Sequence, residues 1–305
     1  MSIRIVPYHQ IDPVKWDALV EKYADSPIYN TTQYLNSMSD TWKGLIFKDY
    51  EAILALPIKE KMGISLLTNP PFLQKNELIG TSDAKANLLP ILSTILRNNF
   101  KLIDFNIANL PAFTAEFKIY QRNNLVHSLH NDYFTIKGSY TKLAKRKIQK
   151  ANQQDFVFKE EIDAKQIIRE FVTFYNNKIA YTHVHLEHLI HFIHQYPHHI
   201  YTCGVEQNGV LLYSCLLLRD KKRLYYLISA PTLEGQQLNA TYWCIDQIIQ
   251  KHANQALILD FEGSEIPEIA FFYSRFGARS EPYWKMTLNK LPFGLKQLIN
   301  YKLHL

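Results

Sequence analysis

The two halves of this 305-residue chain can be read as one series of elements written twice, and a duplicated series constrains the fold more than any single residue. LIDFN at 102–106 and LILDFE at 257–262 are short apolar runs of the kind a buried strand needs, and their aspartates, Asp104 and Asp260, stand 156 positions apart. Two hairpins share nearly that offset. GLIF, KDY and EAILALPIK turn at Asp49, while IYTCGVE, QNG and VLLYSCLLLR turn at Asn208 and Gly209, which places Asn208 159 positions after Asp49. In the first half a strand at 3–6 leads into helices near 13–24 and 31–39, the hairpin, a strand near 64–67, a helix near 83–98, LIDFN, a short helix near 110–116 and β-rich segments over 117–136. The second half repeats this with a strand at 156–160, helices at 164–180 and 185–196, the hairpin with RLYYLISA as its third strand, a helix at 238–253, LILDFE, a helix at 267–276 and a final strand at 283–288. Gly138 and Ser139 interrupt the strand-like HNDYFTIK, which sets a boundary near residue 138. The expectation is an α/β (α+β) chain of two tandem domains, 1–138 and 139–305, each a mixed, mostly antiparallel sheet flanked by helices.

Composition narrows the class. With 47% hydrophobic and 20% charged residues the chain can bury one large or two ordinary cores. It has no run of 18 apolar residues, and MSIRIVPYHQ lacks the segments of a signal peptide, so a soluble cytoplasmic protein without a membrane span is expected. Nothing in the sequence fixes an oligomeric state. A net charge of +6 suits an anionic partner without selecting one. Cys203, Cys215 and Cys244 share no CxxC spacing, which argues against a zinc site and for three buried small hydrophobes. Seven of the 12 histidines fall between His183 and His199, but spacings of three from His185 to His194 drift by about 60° each on a helix and spread the rings around its polar side. Leu186, Leu189, Ile190 and Ile193 take the buried stripe, and no metal is expected. GxSxG, Walker and GxGxxG motifs do not occur, which removes the usual marks of serine hydrolases, nucleotide hydrolases and dinucleotide enzymes.

The stretch 257–278 carries the candidate chemistry. Asp260 and Glu262 lie two apart at the end of an apolar strand, so a continuing strand would turn both to one face. Gly263 and Ser264 break the strand, Ser264 and Pro267 favour a helix start, Ala270, Phe271 and Tyr273 fall at helical spacing, and Gly277 suits the left-handed residue after a helix. The ordinary alternative is that the acids cap the helix and the tyrosine packs. Elsewhere, Tyr140, Leu143, Ala144, Ile148 and Ala151 mark one apolar face of a helix whose remainder is Lys142, Lys145, Arg146, Lys147 and Lys150, a strip that would attract phosphate. The adjacent prolines of NPPFLQ hold an extended turn that would present Phe72 and Gln74 to a ligand, or would simply pack over the first core.

The tail FYSRFGA, with Tyr273 four residues before Gly277, resembles the tyrosine, three residues, glycine motif near the end of GNAT acyltransferase domains. DFEGS followed by that tail resembles the second domain of tandem-GNAT proteins of the Fem-type aminoacyltransferase superfamily, and NPPFLQ, QRNN at 121–124 and YTKLAKRKIQKA at 140–151 look like further pieces of it in the same order. The resemblance implies two GNAT-like domains and an N-acyltransferase in which an amine attacks a donor directly. Tyr273 would then be the acid, Glu262 the proton acceptor and Asp260 its orienting neighbour. Glu234, Gly235, Gln236, Asn239 and Ala240 would receive the donor at the turn PTLEGQQLNA, with Lys145 and Arg146 steering it, and Phe72, Gln74 and Arg122 would line the acceptor side. The donor would be acetyl-CoA or another acyl-CoA, or aminoacyl-tRNA, and the acceptor a small-molecule or peptide amine. The turn departs from the CoA pattern, because Asn239 and Thr241 stand where small residues should allow a pyrophosphate to approach the backbone. A different class stays open, a catalytically silent duplicated module that binds a ligand or another protein.

Overall fold

The computed structural model describes residues 2–61, 63–112, 115–175, 181–262, 266–294 and 296–297. Along the chain run β1 (Ile3–Pro7), α1 (Pro13–Tyr23), α2 (Pro27–Asn30), α3 (Thr32–Met38), β2 (Thr41–Phe47), β3 (Ala52–Lys61), β4 (Ile64–Thr68), β5 (Ile79–Gly80), α4 (Ser82–Asn99), β6 (Leu102–Ile107) and β7 (Lys118–Ser128). They are followed by α5 (Tyr133–Gly138), α6 (Lys142–Ala151), β8 (Val157–Glu160), α7 (Ala164–Tyr175), α8 (His183–Gln195), β9 (Ile200–Gln207), β10 (Val210–Arg219), β11 (Arg223–Pro231), α9 (Leu233–Gln237), α10 (Ala240–His252), β12 (Ile258–Asp260), α11 (Pro267–Ser274) and β13 (Arg279–Asn289). Local chemistry sets the ends of these elements. Asp12, Thr81, Asp132 and Thr141 cap α1, α4, α5 and α6 with side-chain oxygens, and Asn208 and Gly209, both at positive φ, turn the second hairpin.

Packing divides the chain into two compact units, residues 1–122 with 282–305, and residues 123–281. The first unit orders its strands β1-β2-β3-β4-β6-β13 and the second β8-β9-β10-β11-β12-β7. Position for position the pairings agree: three antiparallel steps, then one parallel step, then one antiparallel step. The parallel steps even share a register, since Thr68 faces Asp104 in the first unit and Tyr225 faces Asp260 in the second. The aspartates picked out by their offset are therefore equivalent in three dimensions.

The sixth strands are exchanged. β7, the last strand of the first half, pairs with β12 through Val126, His127 and Ser128, while β13, expected to close the second half, pairs with β6 over Trp284–Asn289. This is why the packing units divide at 122/123 and 281/282 and not near residue 138. HNDYFTIK also differs from its strand-like reading, because the Asp132 carboxylate accepts the backbone N–H groups of Phe134 and Thr135 and starts α5 instead. The described residues of 110–116 are not helical, and Pro111 removes a backbone donor there. The helix expected over 164–180 runs to Tyr175, beyond which 176–180 lie outside the described residues.

Each unit has its own core. In the first, Leu88, Leu92 and Leu96 of α4 repeat every four residues and press on Leu54, Leu56, Ile103 and Phe105 of the sheet, joined by Met286 and Leu288 of the exchanged strand. In the second, Cys244, Ile245, Ile248 and Ile249 of α10 and Ala144, Ile148 and Ala151 of α6 cover the strand face carrying Cys203, Cys215, Leu217 and Tyr226. The apolar face read for the basic helix is therefore the face it buries, with Tyr140 buried too and Leu143 partly exposed.

Candidate active site

β11 and β12 pair at only three positions, Arg223 with Ile258, Leu224 with Leu259 and Tyr225 with Asp260. β12 then stops while β11 continues to Pro231, so the edge of β11 beyond Tyr225 has no β12 residue beside it. On its other side β11 carries a bulge. Leu216 faces Ile228 and Leu217 faces Tyr226, which leaves Leu227 without a register partner on β10. That β11 outruns β12 on one edge and bulges on the other is a feature that sequence periodicity does not reveal.

Asp260 anchors the end of β12. It is fully buried, and its carboxylate accepts from Arg223 at 2.9 Å and from the Asn124 amide of the exchanged strand β7. Arg223 is bidentate to Glu281, at 3.0 Å on each oxygen. Asp104 of the first unit is likewise held from its exchanged strand, by Lys285 at 2.7 Å. Asp260 and Glu262 do not share a face, because the strand ends at Asp260 and Glu262 takes a left-handed φ of 40°. Their link runs through the backbone, where the Glu262 N–H donates to Asp260 Oδ1 at 3.2 Å.

Tyr273 lies in α11, which begins with Pro267 at its first turn and ends at Ser274; Gly277, in the turn that follows, has a φ of +76°, the left-handed conformation expected there. A side chain at 277 would meet Ser139, so the conformation and the packing both require glycine. Ser264, expected as the helix start, lies with Gly263 outside the described residues. The Tyr273 ring stacks on Phe261 with centroids 4.4 Å apart and meets Tyr226 edge-on at 5.9 Å. Burial raises its phenol pKa, and the neighbouring Tyr175, Cys215 and Glu262 raise it further, so the phenol stays protonated. Burial also pushes the Glu262 carboxyl up to about 8. The structure thus sets Glu262 within electrostatic reach of Tyr273, with Asp260 holding the backbone between strand and turn.

The donor turn is more closed than expected. Thr232 caps α9 by accepting the Gly235 N–H at 2.9 Å, and a Cβ on Gly235 would sit 2.1 Å from the Leu212 carbonyl oxygen. Gly235 is therefore demanded by close packing on β10 and not by backbone freedom, since its φ is not positive. Thermal melting of Gly235→Ala is expected to show a loss of about 1–3 kcal/mol from that collision. Asn239, with φ 65°, precedes α10 without a side-chain cap, and Asn239 and Ala240 are buried. Glu234 and Gln236 are exposed. Tyr242 in the first turn of α10 packs edge-on against Phe272 of α11 and accepts a hydrogen bond from Arg275, which ties this turn to the helix of Tyr273. On α6, Lys145 and Arg146 are exposed; Lys145 Nζ donates to the Gly138 carbonyl at 2.9 Å.

The residues expected on the acceptor side belong to the first unit. Phe72 is 5% exposed at φ +64°, with its carbonyl accepting from the Tyr34 hydroxyl, so it packs into the core and does not form a rim. Gln74 is partly buried, its backbone carbonyl accepting from Asn106 at 2.8 Å and its side-chain Oε1 enclosed without a partner. Arg122, partly exposed, is the last residue of that stretch of the unit. In α8, Leu189 and Phe192 are the buried residues, and among the described residues the histidines do not converge as a three-ligand group. The cysteines are all buried as expected, but they converge.

No protein-family model matches the chain, and no curated protein matches it in sequence. Solved structures do. FemX shares 12% identity at a TM-score of 0.67, covering 98% of this chain and 100% of its own. A tandem GNAT protein from the clavulanic acid biosynthesis pathway shares 10% identity at 0.51, covering 96% and 100%. The chain has the tandem-GNAT fold. L-PGS from Bacillus licheniformis is also similar, at 8% identity and a TM-score of 0.52, covering 95% of this chain and 96% of that one. Within the tandem-GNAT fold, the opened β11 edge, Glu262 and Tyr273 all fall in the second unit. No helix among the described residues is long and apolar enough to cross a membrane.

Proposed function

We propose that the second unit is an N-acyltransferase site that moves an acyl or aminoacyl group to an amine by direct attack. The observation that carries this reading is the end of β12 beside a continuing β11, just before Glu262, which lies within electrostatic reach of Tyr273. The amine nitrogen attacks the donor carbonyl carbon, and backbone N–H groups along the open β11 edge stabilise the oxyanion. Glu262 accepts the amine proton. The bond from carbon to the donor's sulfur or oxygen breaks, and the leaving atom takes the Tyr273 phenolic proton, which Glu262 then returns through water. Asp260 acts on Glu262 through the backbone, as a positioning residue.

Of the two donors, aminoacyl-tRNA is favoured over acyl-CoA. Gly235 is filled by packing and its N–H is used by Thr232, while Asn239 and Ala240 are buried, so the turn offers little open backbone to a pyrophosphate. The exposed cations of α6 suit a polyanion.

Three measurements test the reading. Thermal shift with acetyl-CoA and CoA should give little stabilisation, and binding of tRNA should fall steeply between 50 and 200 mM salt, as for any ligand held through several phosphates. Transfer from aminoacyl-tRNA to an amine should drop by about 10²-fold in Tyr273→Phe, at the low end for general acid catalysis because water can partly replace the phenol. A silent binding module would transfer nothing from either donor, and that result would reject the catalytic reading.

A further inference from the structure

Three cysteines that are distant in sequence meet in the core of the second unit. Cys203 and Cys215 are register partners on β9 and β10, and Cys244 reaches them from α10. All three are fully buried, their sulfurs lie within 4.8 Å of one another, and the first two are 3.4 Å apart. Among the described residues this is the group of potential ligand side chains that converges, and it contains no histidine or carboxylate.

The geometry suits one ion. An atom bound about 2.3 Å from each of three sulfurs in a plane sets them about 4.0 Å apart, so displacements of roughly half an ångström would close this triangle. The rest of the site selects among thiophilic ions. Zinc asks for four ligands, and this cluster offers three in a place closed to water. A trigonal set of three sulfurs with no nitrogen or oxygen ligand suits a soft ion of the copper(I) class.

We propose that Cys203, Cys215 and Cys244 form a three-sulfur binding site for one soft monovalent cation of the copper(I) class, which clips α10 to the β9–β10 hairpin. The fully buried phenol of Tyr226, which has no hydrogen-bond partner, lies within electrostatic range of Cys203 and Cys244 and completes the wall. The ion takes no part in acyl transfer.

The test uses the reduced full-length chain without oxygen, with copper(I) supplied as its bicinchoninate complex and loaded both onto folded protein and during refolding. One equivalent should pass from the chelator to the protein, the melting temperature should rise, and X-ray absorption should show a copper shell of sulfur only. Cys244→Ser should lose that equivalent; should this variant not fold, the sulfur shell of the unaltered chain still decides. The proposal is overturned if the chelator keeps the copper, if the shell is nitrogen from the surface histidines, or if zinc(II) offered in the same assay is taken up as tightly in a four-ligand site.

Discussion

Glu262→Gln should lower kcat/KM for acyl transfer by about 10²–10⁴-fold, the range a positioned general base contributes. The variant keeps size and polarity, so the loss would report the proton acceptor and not a rearranged turn. In the unaltered chain, burial pushes this carboxyl from the usual 4.5 to about 8, and the working form of a base is the ionised one. Activity should therefore climb about tenfold per pH unit below 8 and level off above it, and the glutamine variant should lack that component of the slope. The same group links pH to stability. Between about 4.5 and 8 the folded chain binds the Glu262 proton more tightly than the unfolded chain, so stability falls as pH rises through that window and flattens above it. Urea denaturation at pH 5 and pH 9 should show that fall in the unaltered chain and a smaller one in Glu262→Gln. Equal slopes, together with unchanged turnover, would remove Glu262 from the mechanism.

Arg223→Met should cost about 3–5 kcal/mol in stability, the largest effect expected outside catalysis. The side chain of Arg223 is 3% exposed and that of Asp260 0%, so removing the guanidinium strands a carboxylate away from water with neutral donors, the Asn124 amide and the Glu262 N–H, in place of a cation. Glu281, more exposed, can re-solvate. If the loss comes from the stranded charge, the double variant Arg223→Met with Asp260→Asn should be closer to the unaltered chain than the sum of the two changes predicts, because the new amide can still bond Asn124 without a net charge. Additive losses in denaturant melts would show that the network contributes through packing alone.

Much of the fold was legible because it rests on local patterns repeated at a constant offset. Asp104 and Asp260, separated by 156 residues, occupy one register position in their two sheets, and the turns at Asp49 and Asn208 close equivalent hairpins. The apolar face of the basic helix, the proline that opens α11 and the left-handed glycine in the turn after it follow from residue type and spacing. Sequence alone thus determined the two-fold series of elements and nominated Glu262 and Tyr273. It could not say which half claims the last strand of each series, since β7 and β13 have the same alternation whichever partner they meet, and only the long-range pairing with β12 and β6 assigned them. Nor could spacing show that Asp260 is spent on Arg223, that Phe72 is core, that Leu227 bulges, or that Cys203, Cys215 and Cys244 touch. Those facts depend on which faces the sheet and α10 bring together, and contact between residues far apart in the chain is decided by tertiary packing.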